Sequence, residues 1–159
     1  MNHKSVCWKS LWWQLALPLA VGGAAALLTA PGMKQSAQLP QPAFAPPGWV
    51  FGAVWTALYL LMGLSSYLTQ RSPAAPREKR PVYWLYAVQL ALTLLWPLLF
   101  FSWRLYLPAL LCLIVLLGVV ILWLARLRRV DLPAMWLQSP YVLWLLFAGC
   151  LNIATLALR

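Results

Sequence analysis

Three stretches of this chain carry side chains that could do chemistry, and none of the three carries a charge. Phe51, Trp55 and Tyr59 fall four apart, on one side of a helix. Gln89, Thr93, Trp96 and Phe100 fall at i, i+4, i+7 and i+11, one stripe at about 100° per residue. Tyr141, Trp144, Ala148, Asn152 and Thr155 form a comparable stripe. Aromatic faces with a few uncharged polar groups admit two readings. They can be helix–helix contacts, with Gln89 and Asn152 as interhelical hydrogen bonders. They can instead wall a pocket for a large planar apolar molecule, stacked on indole and oriented by few hydrogen bonds.

Other chemistries find no footing. No Asp, Glu, Lys, Arg or His lies well inside the apolar runs. General acid–base catalysis needs such groups, and so do most pumps and ion-coupled transporters. No nucleotide loop, nucleophile elbow or zinc pattern is present. Cys7, Cys112 and Cys150 are odd in number and lack ligand spacing; the last two lie in apolar runs, as small hydrophobes. The one histidine, His3, is near the N-terminus. No metal and no cofactor is expected.

The elements that must position these stripes follow from composition. Of 159 residues, 64% are hydrophobic and 9% charged, against roughly 25% charged in soluble domains. Two acids, Glu78 and Asp131, face twelve Lys and Arg. A net charge of +10 could suggest nucleic acid. The basic residues sit at the joints between apolar runs instead of in one patch, so no nucleic-acid partner is expected. The chain reads as an all-α integral membrane protein, a five-transmembrane-helix bundle forming one domain over 1–159. The expected helices are about 11–29, 48–69, 82–101, 105–125 and 134–158.

The first run follows Lys4 and Lys9. Ala24, Ala25 and Ala26 offer small residues for signal cleavage, but the run is long for a signal peptide and reads as a retained helix. A loop over 30–47, with proline at 31, 40, 42, 46 and 47, is a candidate lid. Pro46 and Pro47 then open the second helix, and Trp49 suits an interfacial anchor. Pro97, Pro108 and Pro140 fall in or near helix ends. With five spans, Lys and Arg number nine on the side of the N-terminus and three on the other, where they are Lys34, Arg104 and Arg159. That asymmetry predicts a cytoplasmic N-terminus, in a bacterial inner membrane, with the outer membrane as the alternative. Small-residue rows, Ala16/Ala20/Ala24 and Ala87/Ala91, permit close helix approach and a homodimer.

The stretch PPGWVFGAVWTALYLLMGLSSYL from Pro46, QLALTLLWPLLFF from Gln89 and PYVLWLLFAGCLN from Pro140 resemble, in order and spacing, the second-, third- and fifth-helix signatures of the translocator protein family. That family is also called TspO/MBR, the tryptophan-rich sensory proteins and the peripheral-type benzodiazepine receptors. The chain departs from it at Thr93, where the family usually has Asn. It has Gln35-Ser36 in place of a Trp-Tyr pair in the first loop. Ile153 follows Leu151-Asn152 where the animal members' cholesterol-recognition stretch has Tyr.

The resemblance implies a five-helix bundle, commonly a homodimer, that binds porphyrins, other tetrapyrroles and isoquinoline or benzodiazepine drugs. Its pocket would be lined by Phe51, Trp55, Thr93, Trp96, Phe100, Trp144, Ala148 and Leu151. Trp55 and Trp144 match the tryptophans linked to light-dependent porphyrin breakdown, chemistry that needs no acid or base. A sensory role in tetrapyrrole levels is then expected, with transport of lipophilic small molecules as the alternative.

Overall fold

The computed structural model describes residues 8–158. His3, Lys4, Cys7 and Arg159, invoked above, lie outside them. The described residues form α1 (Trp8–Ser36), α2 (Gly48–Arg71), α3 (Pro76–Pro97), a π-helical turn (Leu98–Ser102), α4 (Tyr106–Val130), α5 (Leu132–Trp136) and α6 (Ser139–Ala157). Among them there is no strand. Five helices, with α3 and the π turn as one and α5–α6 as another, are long and apolar enough to cross a membrane. α1 packs on α2, α2 on α5, α5 and α6 on α4, α4 on α3, and α3 on α1, closing a ring.

The helix ends differ from the expected ones for local reasons. α1 continues through Pro31 to Ser36 and does not stop near residue 29. A proline removes one N–H, and its ring displaces one carbonyl, defects that membrane helices tolerate. The loop is therefore shorter, 37–47. Gln41 Nε2 donates to the Ser36 carbonyl (2.9 Å), and Phe44 meets Phe147 edge-on at 6.2 Å. α3 begins at Pro76, taking in the basic cluster expected in a loop. Proline suits a first helical turn, where its missing N–H has no partner to lose. The fifth span is broken after Trp136, and its second half starts at Ser139.

Both acids in the chain serve helix N-termini. Glu78 Oε2 accepts from the Ala75 amide (3.0 Å), and Asp131 Oδ1 accepts from the Ala134 amide (2.8 Å). Each satisfies an orphan donor and complements the positive end of the helix dipole. Lys79 Nζ donates to the Gln70 and Ser72 carbonyls (2.9 and 2.6 Å), closing the far end of α2. These charges are consumed at helix joints, and none enters the bundle.

Close approach between helices uses glycine at specific places. A Cβ on Gly63 would lie 2.7 Å from the Gln14 carbonyl, and one on Gly22 would lie 2.3 Å from the Tyr59 ring. A Cβ on Gly32 would lie 2.3 Å from the Phe101 carbonyl. α1 is thus pressed against α2 over its first half and against the π turn near its end.

Candidate functional site

Phe51 of α2 stands at the centre of an aromatic cluster. Its ring centroid lies 6.2 Å from Trp55, 6.1 Å from Trp96, 5.7 Å from Phe101 and 5.6 Å from Trp144. Trp55 also meets Tyr59 (5.6 Å), Trp96 (6.3 Å) and Tyr141 (6.1 Å). Trp96 continues to Phe100 (5.6 Å). The three stripes read from the sequence therefore converge from α2, α3 and α6. Tilted and edge-on pairs of this kind add about 0.5–1.5 kcal/mol each beyond area burial.

Below the cluster lies a fully buried polar floor. Tyr141 donates to Gln89 Oε1 (2.9 Å) and pairs with Thr93 Oγ1 at 2.9 Å. Thr93 also donates to the Gln89 carbonyl one turn back (2.7 Å). Gln89 Nε2 reaches the Met62 sulfur at 3.7 Å. Asn152, with its amide turned to suit its neighbours, donates to the Tyr106 carbonyl (3.0 Å) and accepts from the Leu110 amide (3.1 Å). Gln89 and Asn152 thus both join helices, through Tyr141 of α6 and the start of α4.

Two cavities flank the cluster. One, of about 320 Å³, opens under the 37–47 loop and is walled by Ser36, Pro40, Phe51, Phe100, Leu151 and Thr155 among others. The other, of about 330 Å³, lies between α1 and α2 and is walled by Gly23, Gly52, Trp55, Tyr59, Thr93 and Phe101 among others. Met33, Phe51 and Phe101 line both and form the partition. Of the eight expected pocket residues, Phe51 borders both cavities. Trp55 and Thr93 border the α1–α2 cavity, and Phe100 and Leu151 the loop-side one. Trp96, Trp144 and Ala148 border neither: Trp96 and Trp144 back the cluster, and Ala148 is buried in α6. The Trp144 indole Nε1 is buried without a hydrogen-bond partner.

Phe101, Met33 and Ser36 were not on the expected list. A regular helix turns 100° per residue, which takes position 101 off the Trp96 stripe. Pro97 cannot donate a backbone bond, and the turn after it widens: the Trp103 amide donates to the Leu98 carbonyl five residues back (2.9 Å). The wider turn brings the Phe101 ring to Phe51. Arg104 closes the segment in the left-handed region, at φ 56°, and its guanidinium donates to Gln35 Oε1. Ser36 Oγ is buried and unpaired at the wall of the loop-side cavity. The departure at Gln35-Ser36 was the available signal for it.

Among the described residues, no group of His, Cys, Asp or Glu could hold a metal.

Comparison with known proteins agrees with this architecture. The TspO/MBR family model matches residues 14–158. The tryptophan-rich protein TspO of Chlorobaculum tepidum is 33% identical over 146 residues, 91% of this chain and 92% of that protein. The human translocator protein is 38% identical over 122 residues, 76% of this chain and 72% of that protein. Protein CrtK of Rhodobacter capsulatus is 32% identical over 143 residues, 85% and 84% of the two chains. With its five membrane-length helices this is a multi-pass integral membrane protein, and the chain belongs to the TspO/MBR family.

Proposed function

We propose that this protein binds porphyrins or other planar tetrapyrroles among Phe51, Trp55, Trp96 and Trp144, and serves as a sensor or regulator of their level. The observation that carries the reading is the cluster itself. Three membrane spans converge their indole and phenyl faces here, with cavities on two sides. The polar groups there are uncharged: Thr93, the Trp144 N–H and the Ser36 hydroxyl. Stacking with few hydrogen bonds is the recognition such a site offers. Isoquinoline-type molecules fit the same chemistry.

Light-driven breakdown of the bound pigment is the reaction proposed here: the photoexcited porphyrin takes an electron from Trp55 or Trp144, and dissolved dioxygen is the oxidant that accepts it and attacks the ring. Transfer of the ligand across the bilayer is the second reading, favoured by two cavities that share one partition. Titration of purified protein with protoporphyrin tests the proposal: saturable quenching of tryptophan fluorescence supports it, and unsaturable quenching overturns it. Transfer between vesicles separates the second reading from the first.

The basic joints support an N-terminus in the cytoplasm of a bacterial inner membrane. In a cysteine-free background, Gln38→Cys then reacts with an impermeant thiol reagent added outside intact cells, and Arg77→Cys does not. Both positions are exposed, and the reverse pattern sinks the topology. Ala16, Ala20, Ala87 and Ala91 all face outward, which suits a homodimer; cross-linking in native membranes that yields monomer alone counts against it.

A further inference from the structure

The two cavities differ in what covers them. The loop-side one is roofed by 37–47, pinned through Gln41 and through Phe44 on Phe147. No residue of that loop lines the other, which is walled by α1, α2, α3 and the π turn. α1 touches α2 at Gly63 and Gly22 and then leans to the π turn at Gly32, so the α1–α2 seam parts beyond Gly22. A Cβ at Gly23 or Gly52 would meet nothing within 4 Å, and both residues are exposed. Behind them the cavity runs in to Trp55 and Phe101.

We propose that neutral planar ligands reach the aromatic cluster sideways from the bilayer, through this opening between α1 and α2, whose width is set by Gly23 and Gly52. The proposal rests on the tetrapyrrole-binding reading above.

The chemistry of the passage fits an uncharged ring. Its three threonines spend their hydroxyls on their own helices. Thr29 donates to the Ala25 carbonyl (2.7 Å), Thr56 to Gly52 (2.9 Å) and Thr93 to Gln89 (2.7 Å). With their donors spent on helix carbonyls, these hydroxyls leave the passage little to offer an ion or water. The mouth lies between two membrane-spanning helices, where a lipophilic molecule is already concentrated. A ligand arriving there meets Trp55 first. It then reaches the Met33–Phe51–Phe101 partition, beyond which the unpaired Ser36 hydroxyl awaits a polar edge.

The test uses full-length protein in liposomes and the neutral probe protoporphyrin dimethyl ester. Equilibrium quenching on wild type is measured first, then association and release by stopped flow. Gly23 and Gly52 are both replaced by leucine, since a Cβ at either position meets nothing within 4 Å. A raised barrier slows both directions alike, so for that double variant both rates fall about tenfold and the equilibrium affinity stays within about twofold of wild type. Gly118→Leu is the control: Gly118 is exposed on α4 with nothing within 4 Å of a Cβ, and its rates stay at the wild-type value. Should the double variant fail to insert, Gly52→Leu alone carries the same expectation. Wild-type rates in a port variant that still binds overturn the portal. So does a loss of affinity with unchanged association, which would put the glycines in the site itself. Absence of saturable binding by wild type overturns the tetrapyrrole reading, and the portal with it.

Discussion

Tryptophan is stacked on neighbouring rings in two parts of this molecule, and only one part borders empty space. Toward the loop end, Trp55 and Trp96 meet Phe51 from α2 and α3, and Trp144 meets it from α6. Toward the basic end, Trp123 of α4 stacks on Tyr86 of α3 at 5.5 Å. Residue type does not separate the two regions. Each holds an indole N–H with no partner, Trp144 in one and Trp123 in the other. The separation lies in the backbone. Around Tyr86 and Trp123 two regular helices, α3 and α4, pack along their lengths and leave Trp123 only 1% exposed. Around Phe51 the helix after Pro97 widens, α1 parts from α2, and cavities remain. A tryptophan becomes a binding wall where the helices around it fail to close.

The largest effect that can break this comparison is on the cavity side. Replacing Trp55 or Trp144 with Phe keeps an apolar ring, so the bundle holds. Loss of indole stacking removes about 1 kcal/mol, a several-fold drop in protoporphyrin affinity by fluorescence titration. Light-driven loss of bound protoporphyrin, followed by absorbance, falls much further, because Phe is far harder to oxidise than Trp. Wild-type binding and bleaching in both variants would make the cluster ordinary packing, no different from Tyr86 and Trp123.

A smaller effect sharpens the role of the floor beneath the cluster. Tyr141→Phe keeps the ring against Trp55 but removes the hydroxyl that serves Gln89 and Thr93. The Gln89 side-chain oxygen keeps only its long, 3.4 Å contact with Thr93. At these fully buried positions this costs about 1–2 kcal/mol of stability, read as a lower thermal midpoint in detergent. Ligand affinity falls less, because the floor orients the wall and touches the ligand little. A larger fall in affinity than in stability would move Tyr141 into the site.

Much of this arrangement is legible in the sequence because helical periodicity is a local property. The stripes through Phe51 and Trp55, through Gln89 and Trp96, and through Tyr141 and Trp144 need only 100° per residue to point inward, and the charges at the joints mark five spans. What escapes is whatever breaks regularity. Pro31 reads as a stop, yet α1 runs on to Ser36, which shortens the lid and carries Met33 and Ser36 to the cavity wall. Arg77, Glu78 and Lys79 read as loop. They are the first turn of α3, held there because Glu78 caps that helix and Lys79 caps α2. Phe101 escapes because a π turn shifts phase by one residue. The opening at Gly23 and Gly52 escapes because a glycine that clears a neighbour and one that clears nothing look alike in a sequence. Gly22 and Gly23 are adjacent and play those two opposite parts.

The smallest effect is expected at Trp123. It lies on α4, buried against Tyr86, and neither ring borders a cavity, whereas Trp144 packs on Phe51, which lines both. Trp123→Phe loses no hydrogen bond, since the indole Nε1 has no partner. It leaves a void the size of the missing ring, and the cost in stability is of order 1–2 kcal/mol, below the full Trp→Ala range. Protoporphyrin affinity and bleaching should both stay near wild type, because the void is sealed between α3 and α4 and no pigment reaches it. This asymmetry is what separates a site from a core. At Trp55 a change to Phe moves the ligand readouts with little change in the thermal midpoint; at Trp123 the same change moves the midpoint alone. If Trp123→Phe lowers bleaching as much as Trp55→Phe does, then electron transfer through the bundle does not depend on contact with the pigment. The cavities would then no longer distinguish one tryptophan from another.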